Sequence, residues 1–177
     1  QAMDCNIALT GFMGSGKTSV GKELRMLLPD LEFIDLDAYI EAMTGTGIPE
    51  IFESQGEEAF RNMEKMALQD IFDTNEMLGT KSILALGGGT VMTDACRRMV
   101  RRNCRCFYLR ASLDTLVSNL KEDSGNRPLL KSGKDLRSTV KGLMELRGPV
   151  YESAAHHIID IDGKTPTEIA VDIITSL

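Results

Sequence analysis

The chain has 177 residues, 42% apolar and 26% charged, with a net charge of −6, which suits one domain, 1–177, with a buried core. The acidic balance and the lack of a long basic run argue against nucleic acid or an anionic membrane surface as main partner. No stretch approaches the roughly 20 apolar residues of a membrane span. Asp4 and Asn6 interrupt the only apolar run near the start, so no signal peptide is expected. Cys5, Cys96, Cys104 and Cys106 lack zinc-like spacing and are expected to be buried or half-buried thiols in a reducing cytoplasm.

Apolar runs of strand length alternate with helical patterns. Cys5–Thr10 reads as a buried strand and Ser19–Leu28 as a helix. Leu31–Asp35 is a second strand. Helix follows from Asp37 to Thr44, breaks at Gly45-Thr-Gly47 and resumes over Ile48–Gln55. Gly56 leads into a longer helix, with Phe60, Met63, Met66, Ala67 and Ile71 on one packing face. Ser82–Leu86 is a third strand ending in Gly87-Gly88-Gly89. A helix over Asp94–Arg102 precedes a fourth strand, Cys106–Leu109. Arg97, Arg98, Arg101, Arg102 and Arg105 in this region read as a solvated face. Ser112 caps a helix that runs to Leu120. The polar segment 121–134 carries Gly125, Pro128 and Gly133 and is expected to be an exposed lid. Helix returns over Asp135–Leu146, with Arg147 closing it before Gly148-Pro149. His157–Asp160 is a fifth strand and Thr167–Leu177 a last helix. This alternation implies an α/β fold with a parallel sheet covered on both faces. Ligands bind such sheets at the carboxyl ends of the strands.

Chemistry concentrates at those ends. Gly11-Phe-Met-Gly-Ser-Gly-Lys17-Thr18 fits the phosphate-loop pattern G-x-x-x-x-G-K-[ST], between a strand and a helix. Its glycines let successive N–H groups surround a polyphosphate, and the helix start adds a positive dipole end. Lys17 can reach the terminal phosphates, and Thr18 can offer its hydroxyl to magnesium. Asp35 ends the second strand where it can face that metal. Asp37 can face an acceptor hydroxyl, or can serve only as a helix N-cap. The third strand lacks the terminal aspartate that many nucleotide hydrolases use for magnesium. Gly87, Gly88 and Gly89 expose bare backbone there, either as a plain turn or as a place for a small polar substrate. Arg61 and Arg147 are either helix-surface charges or ligands. Arg127, in the polar segment, can stabilise transition-state charge; such arginines are worth ~10³–10⁵ in rate. His156 and His157 read as edge-strand residues rather than as a base.

The ordered set of Gly11–Thr18, Asp35-Leu-Asp37, Gly-Glu-Glu-Ala-Phe-Arg61, Gly87-Gly88-Gly89, Asn126-Arg127-Pro128-Leu129-Leu130 and Arg147-Gly-Pro-Val-Tyr151 resembles the shikimate kinase family, from about Asn6 to the last helix. This resemblance implies a three-layer nucleoside monophosphate kinase-like P-loop fold, with five parallel strands in the order 2-3-1-4-5 and helices on both faces. It implies ATP- and magnesium-dependent phosphorylation of the shikimate 3-hydroxyl, in the route to chorismate and the aromatic amino acids, by a cytoplasmic enzyme expected to be a monomer. Gly14, Ser15, Gly16, Lys17, Thr18, Ser19 and Arg127 would bind ATP. Thr18, and Asp35 through water, would hold magnesium. Asp37, Lys17 and Arg127 would be catalytic, with Asp37 the base. Arg61 and Arg147 would clamp the substrate carboxylate beside Gly87, Gly88 and Gly89. Residues 37–61 would form the substrate-binding region. The adenine loop, Ile159-Asp-Ile-Asp-Gly-Lys-Thr-Pro166, has Ile161 where the family often has threonine. A gluconate kinase shares the loop and a lid but not the arginine pair with the triple glycine. A GTPase switch lacks support, because no N-K-x-D signature occurs.

Overall fold

The structure is a computed structural model that describes residues 5–122 and 135–177. Five parallel strands form one sheet: β1 (Asn6–Thr10), β2 (Glu32–Asp35), β3 (Ser82–Ala85), β4 (Cys104–Arg110) and β5 (His157–Asp160). Their order is β2-β3-β1-β4-β5, the order that the resemblance implies. Around the sheet lie α1 (Lys17–Leu27), α2 (Leu36–Thr44), α3 (Ile48–Leu78), α4 (Asp94–Asn103), α5 (Leu113–Glu122), α6 (Leu136–Ala154) and α7 (Pro166–Thr175). None of the described helices is long and apolar enough to cross a membrane.

β1 is central, and Ile7, Ala8 and Leu9 are fully buried. Its side chains meet cover on both faces, so its sequence runs apolar instead of alternating. Sequential strands fall on opposite sides of it: β3 on one side, β4 on the other. The crevice at the carboxyl end of β1 is therefore the switch point of the sheet.

α1 approaches β2 closely. A Cβ on Gly21 would lie 2.2 Å from the Phe33 ring. Gly21→Ala is expected to cost about 1–3 kcal/mol through overpacking, read as a lower denaturant midpoint with the unfolding slope unchanged.

Several boundaries differ from the sequence expectations. β4 starts two residues early, at Cys104, because Asn6 of β1 pairs with it. α6 does not end at Leu146: it continues through Pro149 to Ala154, so Arg147 lies inside it. Proline removes a helix hydrogen bond at a cost of ~3 kcal/mol. The buried Tyr151 and Ala154 lie beyond it, and the Tyr151 hydroxyl donates to Gly88 O at 2.5 Å. This packing holds the last turns. On α3, Met66 is 67% exposed, whereas Glu64, Leu68 and Phe72 share the buried face with Phe60, Ala67 and Ile71.

The arginine cluster is only partly a solvated face. Arg101 donates to the carbonyls of Ser153, Ala154 and Ala155 at the end of α6, where helices leave acceptors unpaired. Arg97 donates to Val91 O. Arg105 belongs to β4, not to the preceding helix, and donates to Ser176 O. Burial pushes the Cys96 thiol up to about 11 and the Cys106 thiol up to about 12, which suits inert buried cysteines.

Candidate active site

Two clefts open side by side at the carboxyl ends of β1, β2 and β3. One, of about 470 Å³, is lined by Gly14, Gly16, Lys17, Thr18 and Ser19, with Asn119 and Glu122 of α5 opposite. The other, of about 590 Å³, is lined by Arg61, Glu64, Gly87, Gly88, Gly89 and Arg147, with apolar cover from Phe52 and Phe60. Asp35, Asp37, Gly87 and Gly88 line both. The shared wall is where a donor and an acceptor could meet.

The loop turns as its glycines allow. Gly14 and Gly16 have φ of 87° and 86°, values that other residues rarely adopt. Gly16 is the residue before α1, so the free N–H groups of that helix face the first cleft. Lys17 Nζ bridges the loop, donating to Gly11 O at 2.5 Å and Phe12 O at 3.2 Å. Asn119 Nδ2 braces it from α5 by donating to Gly14 O at 2.8 Å. Ser15 is 2% exposed, with its side chain beneath the loop and its amide donating to Phe12 O at 3.1 Å. Thr18 Oγ1 donates to Asp35 Oδ2 at 2.9 Å.

Asp35 also caps α2, its Oδ1 accepting from Ala38 N at 3.2 Å. Capping therefore falls to Asp35, and Asp37 sits within the first turn of the helix. The Asp37 Oδ1 atom approaches Gly87: a Cβ there would lie 3.0 Å from it. Gly89 lies against Arg61, whose Nη2 would be 2.3 Å from a Cβ on that glycine. Arg147 is 7% exposed and comes close to Gly88. It forms no ion pair among the described residues. Burial pushes the Tyr151 phenol up to about 12, and the adjacent Arg147 opposes that push.

A family model described as shikimate kinase matches residues 13–177. The chain belongs to the shikimate kinase family. It is accordingly an ATP-dependent kinase of shikimate, with a place in the shikimate pathway. A shikimate kinase of Dictyoglomus turgidum is 39% identical over 99% of this chain and 98% of its own. One of Thermus thermophilus is 39% identical over 97% of this chain and 89% of its own. Among solved structures, the Acinetobacter baumannii shikimate kinase in complex with shikimate superposes with a TM-score of 0.90 at 32% identity. That match covers 98% of this chain and 93% of the other.

Sequence reasoning missed Glu64. It is fully buried and accepts from Arg61 Nη1 at 2.7 Å and from Thr90 Oγ1 at 2.7 Å. Burial pushes its carboxyl above the usual range, and the Arg61 guanidinium holds it back. A signal existed: Glu64 is four residues after Phe60, on the same helix face, and a carboxylate on a buried face needs a partner. Arg127 lies outside the described residues. In the adenine loop Ile161 is buried, and Asp162 accepts from Ser112 N at 3.1 Å. His156 and His157 lie at the opposite end of the sheet. His156 Nδ1 accepts from Cys106 N at 3.0 Å, a structural role.

Proposed function

We propose that the two clefts divide the family's reaction between them, the loop cleft holding ATP and the arginine cleft holding shikimate by its carboxylate. The observation that carries this reading is the shared wall. Arg61 and Arg147 line one cleft, the phosphate loop lines the other, and Asp37 borders both. A nearly buried guanidinium is costly without an anion, and Arg147 in particular suits a carboxylate ligand. Each charge-assisted bond to that ligand is worth ~1.5–3 kcal/mol.

In this reading Gly14, Ser15, Gly16 and Ser19 give loop and helix contacts to ATP, and Lys17 offsets charge on its terminal phosphates. Gly87, Gly88 and Gly89 let the substrate lie against backbone. The 3-hydroxyl of shikimate faces Asp37, which takes its proton as the oxygen bonds to the γ-phosphorus. The bond from that phosphorus to the β,γ-bridging oxygen breaks, and ADP leaves with shikimate 3-phosphate. Arg127 would add charge stabilisation from the segment 121–134, and residues 37–61 would carry much of the acceptor side.

Thr18 and Asp35 suit a magnesium ion. They bring a hydroxyl and one carboxylate together at 2.9 Å. Magnesium takes such hard oxygens, keeps several waters and leans on substrate phosphates. When bound it would neutralise phosphate charge, with Thr18 as ligand and Asp35 reached through water. We also propose a monomer that works in the cytoplasm.

A coupled assay of ADP release with shikimate, gluconate and nucleoside monophosphates side by side tests the reading. Turnover with shikimate and magnesium, far above the others, is expected. Equal turnover with gluconate would sink the carboxylate-and-ring assignment of the arginine cleft.

A further inference from the structure

Arg61 is surrounded by more negative charge than it carries. Its Nη1 donates to Glu64 at 2.7 Å, while Nε and Nη2 both donate to Glu57 Oε2, at 3.3 and 3.2 Å. A guanidinium has five N–H donors, and three are committed here to carboxylates of this same chain. One cation between two carboxylates leaves a local charge of −1. An incoming carboxylate must compete with these two for the donors of Arg61.

The two partners differ in kind. The Glu64 side chain is 0% exposed and also binds Thr90. Glu57 is 64% exposed, and Arg61 is its only partner among the described residues. Its contacts are longer than the ~2.7–2.9 Å of strong charge-assisted pairs. They also occupy the Nε–Nη2 side of the guanidinium, an edge that carboxylates take bidentately. Glu57 directly follows Gly56, where the backbone of α3 breaks with φ of 89° and ψ of 172°. The side chain therefore stands at a kink beside the cleft-lining Arg61, with water at hand to receive it.

We propose that Glu57 is a resident competitor for the substrate carboxylate. It holds the Nε–Nη2 edge of Arg61 until a carboxylate ligand takes that edge, and Glu64 keeps the guanidinium in place during the exchange. This rests on the proposed role of Arg61 in gripping the substrate carboxylate. Glu57 thereby sets substrate affinity: the ligand must outbid it, and a neutral analogue gains nothing from its removal. A plain helix-surface ion pair would behave differently, since its loss would cost a little stability and leave substrate affinity unchanged.

The test uses the full chain with Glu57→Gln and, as a second truncation, Glu57→Ala. KM for shikimate and for ATP, kcat, and the calorimetric Kd for shikimate are measured, with thermal midpoints recorded alongside. Exposed pairs of this kind are worth ~0.2–1 kcal/mol, so KM and Kd for shikimate are expected to fall by about 1.4- to fivefold. The gain is expected in KM for shikimate rather than in kcat or KM for ATP. It should vanish in an Arg61→Lys background and with the uncharged carboxamide of shikimate as ligand. Unchanged or raised shikimate Kd in both Glu57 variants overturns the proposal, provided that Arg61→Lys weakens shikimate binding. If Arg61→Lys leaves shikimate binding intact, the arginine-clamp reading itself fails, and the Glu57 proposal fails with it.

Discussion

Asp37→Asn is expected to lower turnover by about 10²–10⁴, the range that a positioned proton acceptor contributes, while ATP affinity changes little. The geometry makes this a clean substitution. Asp35, not Asp37, caps α2 and touches Thr18, so the helix start and the proposed metal position survive. Asparagine keeps the shape and loses the charge and the proton-accepting oxygen. Measuring kcat with saturating shikimate, and the Kd of a non-hydrolysable ATP analogue, checks both halves. Intact turnover would rule out a required base at this position, leaving positioning and phosphate charge neutralisation to supply the rate.

Much of this arrangement is legible in the sequence, for definite reasons. The phosphate loop demands glycine where φ is positive and a lysine and hydroxyl at fixed steps, so a short string carries its geometry. Fully covered parallel strands run apolar, as Ile7–Leu9 and Ile83–Leu84 do, and their alternation with helices reveals the sheet. Gly45 and Gly47 punctuate the chain between α2 and α3. What escapes is set by contacts distant in sequence. Pro149 reads as a stop, yet the Tyr151 bond to Gly88, sixty-three residues away in sequence, keeps α6 going. Arg101 reads as a solvated charge until the end of α6, more than fifty residues on, supplies its carbonyls. Met66, read as a packing residue, is exposed, while Glu64 is buried on the face of Phe60 and Ala67, where Arg61 and Thr90 pair its carboxylate. Local pattern favours the apolar residue for burial, and the site overrides it.

That carboxylate supports the second large expectation. Glu64→Ala is expected to cost about 3–5 kcal/mol of stability, the usual result of removing one partner of a buried ion pair. Three losses combine. Arg61 loses its shortest contact, the fully buried Thr90 hydroxyl loses its acceptor, and the truncated side chain leaves a void. Glu64→Gln should cost less, because an amide oxygen can still accept from Thr90 or Arg61. The two variants also separate stability from binding. With Glu64 gone, the exposed Glu57 is the carboxylate left to Arg61 among the described residues, and it draws the guanidinium toward solvent and off Gly89. KM for shikimate should then rise in both variants, more in Glu64→Ala, even at temperatures where each is fully folded. Denaturant midpoints paired with shikimate KM values at low temperature read this out. A folded Glu64→Ala protein with normal KM would mean that Arg61 finds its place without the buried anchor, and that packing on Gly89 and Phe60 suffices to aim it.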